Sequence, residues 1–206
     1  KIALSKDYFS INKKSKWITN KYSIKRTHFL RSQYDCILST SKTVNLDNSR
    51  LNCRIEGLEN KSPDVVIIDR KLKLKKNINL IKNKKRKVTV FTQVTDKKKE
   101  KYLKKQKINI IKITQIESKL DFLNILKKLN MLGYTRILVE SGLIFLSFLK
   151  KHNIINNLYI FKSPNKLNKN GSNNCKSLFI KNLKGTREVK VNLFGDKLLI
   201  KSFKNV

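Results

Sequence analysis

No apolar run in this 206-residue chain is long enough to cross a membrane. A spanning helix needs roughly 18 apolar residues, whereas the richest stretch, Leu143 to Leu149, has seven and contains Ser147. No membrane partner is therefore expected. Cysteines are few: Cys36, Cys53 and Cys175 form an odd set without Cys-x-x-Cys spacing. That argues against a disulfide scaffold and a structural zinc site, and fits a reducing, cytoplasmic setting. No signal peptide is visible, because Asp7 follows the short apolar stretch Ile2-Ala3-Leu4. An initiator Met is missing too, so a fragment of a longer protein is expected. His28 and His152 have no neighbouring ligand pattern, and no metal is expected. Neither G-x-G-x-x-G nor G-x-x-x-x-G-K-[ST] occurs, so the usual Rossmann and P-loop readings fail. Nothing resembles an interdomain linker or a repeat. One domain over residues 1–206 is the expectation.

Acidic side chains are scarce as well. Against 14 Asp+Glu stand 48 Lys+Arg, a formal net charge of +34 at pH 7. Such a balance ordinarily suggests nucleic acid. Only 8 of those cations are Arg, however, and base edges and phosphates favour the guanidinium fork. Ile and Asn number 23 each, and with Lys they make up 86 of the 206 residues. All three share adenine- and thymine-rich codons, so a base-composition bias raises them together. The lysines then read mostly as solvated surface, with nucleic acid only a non-specific, salt-sensitive background partner. The same field draws anionic small molecules.

Short apolar clusters carry the fold signal. Lys1 to Ser5 reads as an opening strand and Lys6 to Lys16 as a polar loop. Asn20 to Gln33 reads as a helix through Tyr22, Ile24, Phe29 and Leu30, with Asn20 or Ser23 as its cap. Strands are expected at Cys36 to Leu38, Val65 to Ile68, Val88 to Phe91, Ile108 to Ile113, Arg136 to Val139 and Leu158 to Phe161. Helices are expected at Asp96 to Lys105, around Phe122 to Leu129, and at Leu143 to Lys150. Thr40 to Arg54 reads as loop or short helix, Lys71 to Lys87 as a solvent-facing connection, and Asn165 to Asn174 as a flexible loop. Glu188 to Phe194 and Leu198 to Phe203 form a terminal hairpin around Gly195. Strands alternating with helices and ending in a hairpin argue for a three-layer α/β fold. Its sheet is mixed and mostly parallel, with antiparallel strands at one edge.

The sharpest chemical signal is Arg136-Ile137-Leu138-Val139-Glu140-Ser141-Gly142-Leu143, a strand running through an acid and a glycine into a helix. Ligands of open α/β sheets bind beyond the carboxyl ends of strands, and a helix start suits a phosphate. A plain glycine turn with a capping acid explains the same residues equally well. Trp17, the single tryptophan, lines a pocket or closes the core. Thr40 to Arg54 concentrates hydroxyls, amides, Asp47 and two arginines after a strand. Arg31 and Arg54 stand out among many lysines, which hints at bidentate anion binding.

Taken in order, these segments resemble the reductase domain of the bacterial bifunctional riboflavin-biosynthesis deaminase/reductase. The opening Lys1-Ile2-Ala3-Leu4-Ser5-Lys6-Asp7, then Ser15-Lys16-Trp17-Ile18-Thr19, His28 to Arg31, Asp35 to Arg54 and Val139 to Gly142 carry the likeness. It implies a dihydrofolate-reductase-like fold and NADPH-dependent reduction of 5-amino-6-(5-phosphoribosylamino)uracil to its ribitylamino product. The likeness assigns NADPH to Ala3, Trp17, Thr43 and Asp47, and to the helix start Gly142, Leu143, Ile144, Phe145, Leu146, Ser147 and Phe148. The phosphorylated ribosylamino-pyrimidine falls to Ser15, Arg31, Leu51, Arg54 and Glu140, with Arg31 and Arg54 as phosphate partners. Lys1, Asp47 and Glu140 are the catalytic candidates, and which of them is the general acid stays open. The likeness further implies a homodimer and a deaminase domain missing from this chain. The chain departs from the family pattern at Lys6, at Tyr8 in a glycine position, at Ser49 for proline and at Asn52 for threonine. Gly171 is displaced from the family's later glycine. An active or weakened enzyme is expected. A related pyrimidinone or pterin substrate, or a basic nucleic-acid-binding domain, are the alternatives.

Overall fold

Short runs of β-branched and leucine residues set the strands of this protein, described from a computed structural model over residues 1–82, 85–176 and 187–203. In chain order the first elements are β1 (Ile2–Leu4), β2 (Phe9–Asn12), α1 (Lys21–Arg31), β3 (Cys36–Thr40), α2 (Ser41–Asp47), β4 (Asp64–Ile68) and α3 (Asn79–Lys82). Then follow β5 (Val88–Thr92), α4 (Lys97–Lys105), β6 (Ile108–Lys112), α5 (Lys119–Met131), β7 (Ile137–Val139) and α6 (Leu143–Lys151). The last are β8 (Asn157–Lys162), β9 (Gly171–Asn174), β10 (Arg187–Leu193) and β11 (Asp196–Ser202). They fall into two compact units: Lys1–Thr27 with Ser141–Val206, and His28–Glu140.

The His28–Glu140 unit is built on a five-stranded parallel sheet of order β6-β5-β4-β3-β7. Central strands of such a sheet are covered on both faces, which demands unbroken apolar runs rather than alternation. Val65, Val66, Ile67 and Ile68 of β4 meet that demand, and all five residues of β5 are buried although Thr89 and Thr92 interrupt its apolar run. The helices have local stop and start signals. Asp96 caps α4 by accepting the Lys99 N–H, and Ser118 with Asp121 forms a capping box on α5.

The expected solvent-facing connection at 71–87 is different. Leu72, Leu74, Ile78, Leu80 and Ile81 are buried, and part of the segment is α3; residues 83 and 84 lie outside the described residues. Lysines interleaved with these leucines masked a stretch that packs by its apolar half. Buried Asp69, at the end of β4, turns it inward by accepting N–H groups of Lys73 (2.8 Å) and Leu74 (2.7 Å).

In the other unit, β1 pairs in parallel with β8, and the β10–β11 hairpin adds antiparallel through β11. Ile2, Leu4, Leu143, Leu146, Leu158, Ile160 and Cys175 form its core. The hairpin turns on Phe194 (φ 53°) and Gly195 (φ 98°), two left-handed residues as a tight two-residue turn requires. Mixed α/β architecture with mostly parallel strands and a terminal antiparallel hairpin is thus present, the hairpin joining the sheet of β1 and β8.

Two segments expected as loops are strands. Parts of Lys6 to Lys16 and Asn165 to Asn174 pair with each other as β2 and β9. β9 (Gly171-Ser172-Asn173-Asn174) is wholly polar, and the alternation of β2 (Phe9-Ser10-Ile11-Asn12) is only four residues long, so their distant pairing is what reveals them. Gly171 is needed there, since an added Cβ would lie 2.2 Å from the Phe9 ring. Tyr8 keeps a glycine-like φ of 68°, with its N–H bonded to the Ser5 carbonyl and its carbonyl accepting from Cys175.

Candidate functional site

The order of the parallel sheet defines where a ligand belongs. From β3 the chain steps outward through β4, β5 and β6, then returns to the opposite side of β3 as β7. The connections therefore diverge beyond the carboxyl ends of β3 and β7, the switch point at which open α/β sheets bind ligands. Ser39 and Thr40 end β3, and Glu140 directly follows β7. The Glu140 N–H continues the ladder to the Leu38 carbonyl (3.0 Å), and Ser39 Oγ donates to the Glu140 carbonyl (2.6 Å). These two bonds fix the direction in which the Glu140 carboxylate leaves the sheet.

Arg31, the last residue of α1, meets that carboxylate. Its Nε donates to Glu140 Oε1 at 2.7 Å and its Nη2 to Oε2 at 3.0 Å, a bidentate pair. Each residue is only 8% exposed. Burial opposes the charge on Arg31, yet the Glu140 carboxylate outweighs it and raises the guanidinium pKa further. Taking two ions out of water costs several kcal/mol each by general experience, and only close geometry with extra hydrogen bonds offsets this. The extra bond is present: Arg31 Nη1 donates to the Asn52 carbonyl at 3.0 Å.

His28, one turn earlier, faces the same carbonyl with Nδ1 at 2.9 Å. Burial first, then the charges of Arg31 and Arg54, lower its pKa to about 4. Nothing in the local sequence around His28 marks this placement beside the ion pair. Asn52 belongs to a strap, residues 50–54, without helix or strand. Within it Leu51 is buried at a left-handed φ of 48°. Ser49 accepts the Leu51 N–H at 3.2 Å, so the residue standing for proline closes the turn with its hydroxyl instead. Arg54 is exposed and steadied by Asn52 Oδ1, which accepts from Nη1 at 2.8 Å. Partial burial, then Arg31 and Arg50, lower the Arg54 pKa.

Thr43 lies on the first turn of α2, its Oγ1 3.1 Å from that of the capping Thr40. Asp47 ends the same helix, exposed. The structure thus brings Arg31, Leu51, Arg54 and Glu140 into one cluster around Asn52, with Thr43 and Asp47 on α2.

The other candidates belong to the other unit. Ala3 sits on β1 opposite Phe161, and Lys1 Nζ lies 5.6 Å from the centre of the Phe161 ring. Ser15 Oγ accepts the Trp17 N–H at 3.2 Å, and Trp17 is 47% exposed. Gly142 is exposed and begins α6 without a side-chain cap. Its φ of −69° is open to any residue, so the backbone angle does not require glycine there. Leu143 and Leu146 turn into the core, and Ile144 is exposed. Phe145 and Phe148 are half-buried, as is Ser147, whose Oγ is buried with no hydrogen-bond partner. Arg86, another of the scarce arginines, was missed although the argument that singled out Arg31 and Arg54 applies to it equally. Among the described residues no three His, Cys, Asp or Glu side chains gather as a metal site, and no helix is long and apolar enough to cross a membrane.

Comparison with known proteins bears on the family and the fold. A family model described as the RibD C-terminal domain matches residues 10–197. Riboflavin biosynthesis protein RibD of Aquifex aeolicus is 31% identical over 125 residues, covering 61% of this chain and 33% of that protein. The chain therefore spans about a third of that curated relative's length. RibD of Acinetobacter baumannii superposes with a TM-score of 0.76 at 18% identity, over 98% of this chain and 56% of that one. Riboflavin biosynthesis reductase Rib7 of Saccharomyces cerevisiae gives 0.75 at 21% identity, over 98% and 87%. A more distant likeness, at a TM-score of 0.51 and 10% identity over 98% and 92%, is to dihydrofolate reductase from Enterococcus faecalis complexed with NADP(H). The fold is dihydrofolate-reductase-like.

Proposed function

We propose a function from one premise: this chain belongs to the RibD C-terminal domain family. The reading is a reductase of riboflavin biosynthesis that uses NADPH to reduce the ribosyl group of 5-amino-6-(5-phosphoribosylamino)uracil. The observation that carries it is the buried Arg31–Glu140 pair at the sheet's switch point.

Residues able to hold a dinucleotide are present. The start of α6 has no side-chain cap and an exposed Gly142, which suits a phosphate at the positive end of the helix. Leu143 offers only backbone there, since its side chain fills the core, and Leu146 fills the core while its N–H bonds to the Gly142 carbonyl. Half-exposed Trp17 presents a flat apolar face, and Thr43 a hydroxyl. When bound, NADPH supplies the hydride.

The chain's own groups bind and orient. Arg31 spends three nitrogens on Glu140 and the Asn52 carbonyl, so it holds the carboxylate rather than presenting its whole fork to a phosphate. The exposed Arg54 is then the principal phosphate ligand. Glu140 keeps a fixed negative charge where the ring-opened ribosylamine develops positive charge. Both its oxygens accept from Arg31, so a proton donor is better sought in Lys1 or Asp47. A cytoplasmic homodimer completes the proposal, isologous dimers being the commonest soluble assemblies.

The test is NADPH oxidation with this uracil, the diamino-pyrimidinone precursor and dihydrofolate side by side, on the wild type and the Arg31→Met/Glu140→Leu double variant. Replacing both ions by apolar groups is often close to neutral for stability. The double variant should melt within a few degrees of the wild type while losing turnover. The reading is wrong if wild type reduces none of the three, and its substrate is wrong if a rival runs faster. Turnover unimpaired in the double variant removes the pair from the mechanism.

A further inference from the structure

The strap that carries Leu51, Asn52 and Arg54 has an unusual support. Its backbone carbonyls do not enter helix or strand, and three of them, those of Arg50, Leu51 and Asn52, accept from arginine side chains. The Asn52 carbonyl takes Arg31 Nη1 at 3.0 Å, and Ser62 Oγ, which donates to the Glu59 carbonyl at 2.7 Å, accepts the Cys53 N–H at 3.0 Å. The remaining two, Arg50 and Leu51, both go to Arg86. Its Nη1 donates to the Leu51 carbonyl at 2.8 Å and to the Pro63 carbonyl at 2.8 Å, while Nη2 donates to the Arg50 carbonyl. One planar fork therefore ties the strap to the residue that precedes β4.

From this we infer that Arg86 is a positioning residue of the substrate site, holding the strap in the conformation that presents Leu51 and Arg54. The inference rests on the reductase reading above, and extends it to a residue that the family likeness did not assign. The costs at this position argue for a purpose. Arg86 Nε is buried without a hydrogen-bond partner, a loss that a purely structural clamp would be expected to avoid. Leu51 holds a left-handed backbone angle that a leucine adopts only when its surroundings impose it. Burial, then repulsion from Arg31, lowers the Arg86 pKa to about 10, so the cation is retained at a cost near neutral pH. Carbonyl dipoles face the guanidinium, and lysine has no planar fork with which to serve all three.

Arg86→Lys and Arg86→Gln test this in the full chain, with two readouts. In hydrogen-exchange mass spectrometry the amides of residues 49–56 should exchange faster in both variants, while β3, β4 and β5 stay protected. In steady-state assays KM for the phosphoribosyl substrate should rise roughly tenfold, with kcat and NADPH affinity within about twofold of wild type. The rise should be much smaller in an Arg54→Ala background, because both changes act through one strap. Unchanged exchange, or unchanged KM beside a lowered melting temperature, overturns the inference and leaves the reductase reading intact. If the wild type turns over none of the three substrates, that reading fails separately. Ribose 5-phosphate affinity then decides the role of Arg86: weakening in both variants supports it, and equal affinity or no binding by wild type overturns it.

Discussion

His28 lies one turn before Arg31 on α1, so protonating it would set a second cation beside a guanidinium already in place. Burial, then Arg31 and Arg54, hold its pKa near 4 against an ordinary 6.5. The folded chain keeps the ring neutral in a range where the unfolded chain binds a proton. This contribution to stability is therefore complete above about pH 6.5 and is lost as pH falls toward about 4. After solvent screening the loss should be roughly 1–2 kcal/mol. Urea unfolding of wild type and His28→Gln at several pH values measures it, and the variant should show a flatter profile across that window. Arg31 and Glu140 were legible as candidates because an arginine among many lysines and a strand-ending acid are conspicuous. Their mutual pairing was not, since it joins residues far apart in the chain.

Among elements, three helices end in the same way on three different residues. The residue after the last turn is left-handed in each: Lys107 after α4 (φ 61°), Gly133 after α5 (φ 89°) and Asn153 after α6 (φ 53°). After α5 the Gly133 N–H bonds to the Asn130 carbonyl and the Tyr134 N–H to that of Leu129, closing the helix end with glycine. Asn153 and Ile154 repeat the pattern after α6 with asparagine, the next most tolerant residue. Lysine is the least suited, and Lys107 is exposed, so replacing it sacrifices no packing. Lys107→Gly should stabilise by about 1 kcal/mol and raise Tm by about 2–4 °C, read by calorimetry. A lowered Tm would mean that the lysine side chain contributes more than its backbone strain costs. Helix and strand positions were readable from apolar spacing and caps. The exceptions were the β2–β9 ribbon and the buried half of the 71–87 segment, where polar composition conceals pairing with distant chain.

At the scale of the whole molecule, the net charge of +34 sets a repulsion that no single pair relieves. If the lysines are mainly solvated surface, screening them should stabilise the fold. Raising salt from about 20 mM to about 500 mM should lift Tm by several degrees and release background nucleic acid. A Tm indifferent to salt would instead show the charges to be already paired. The amino-acid sequence alone determined most strands, most helices, the absence of a membrane-spanning run and the arginines and acid of the candidate site. All of these follow from local periodicity and residue chemistry. Tertiary structure alone decided that β7 returns beside β3, that Glu140 accepts Arg31, and that Arg86 reaches the strap. Each depends on which distant segments meet, and local chain chemistry does not encode that separately from the packed fold.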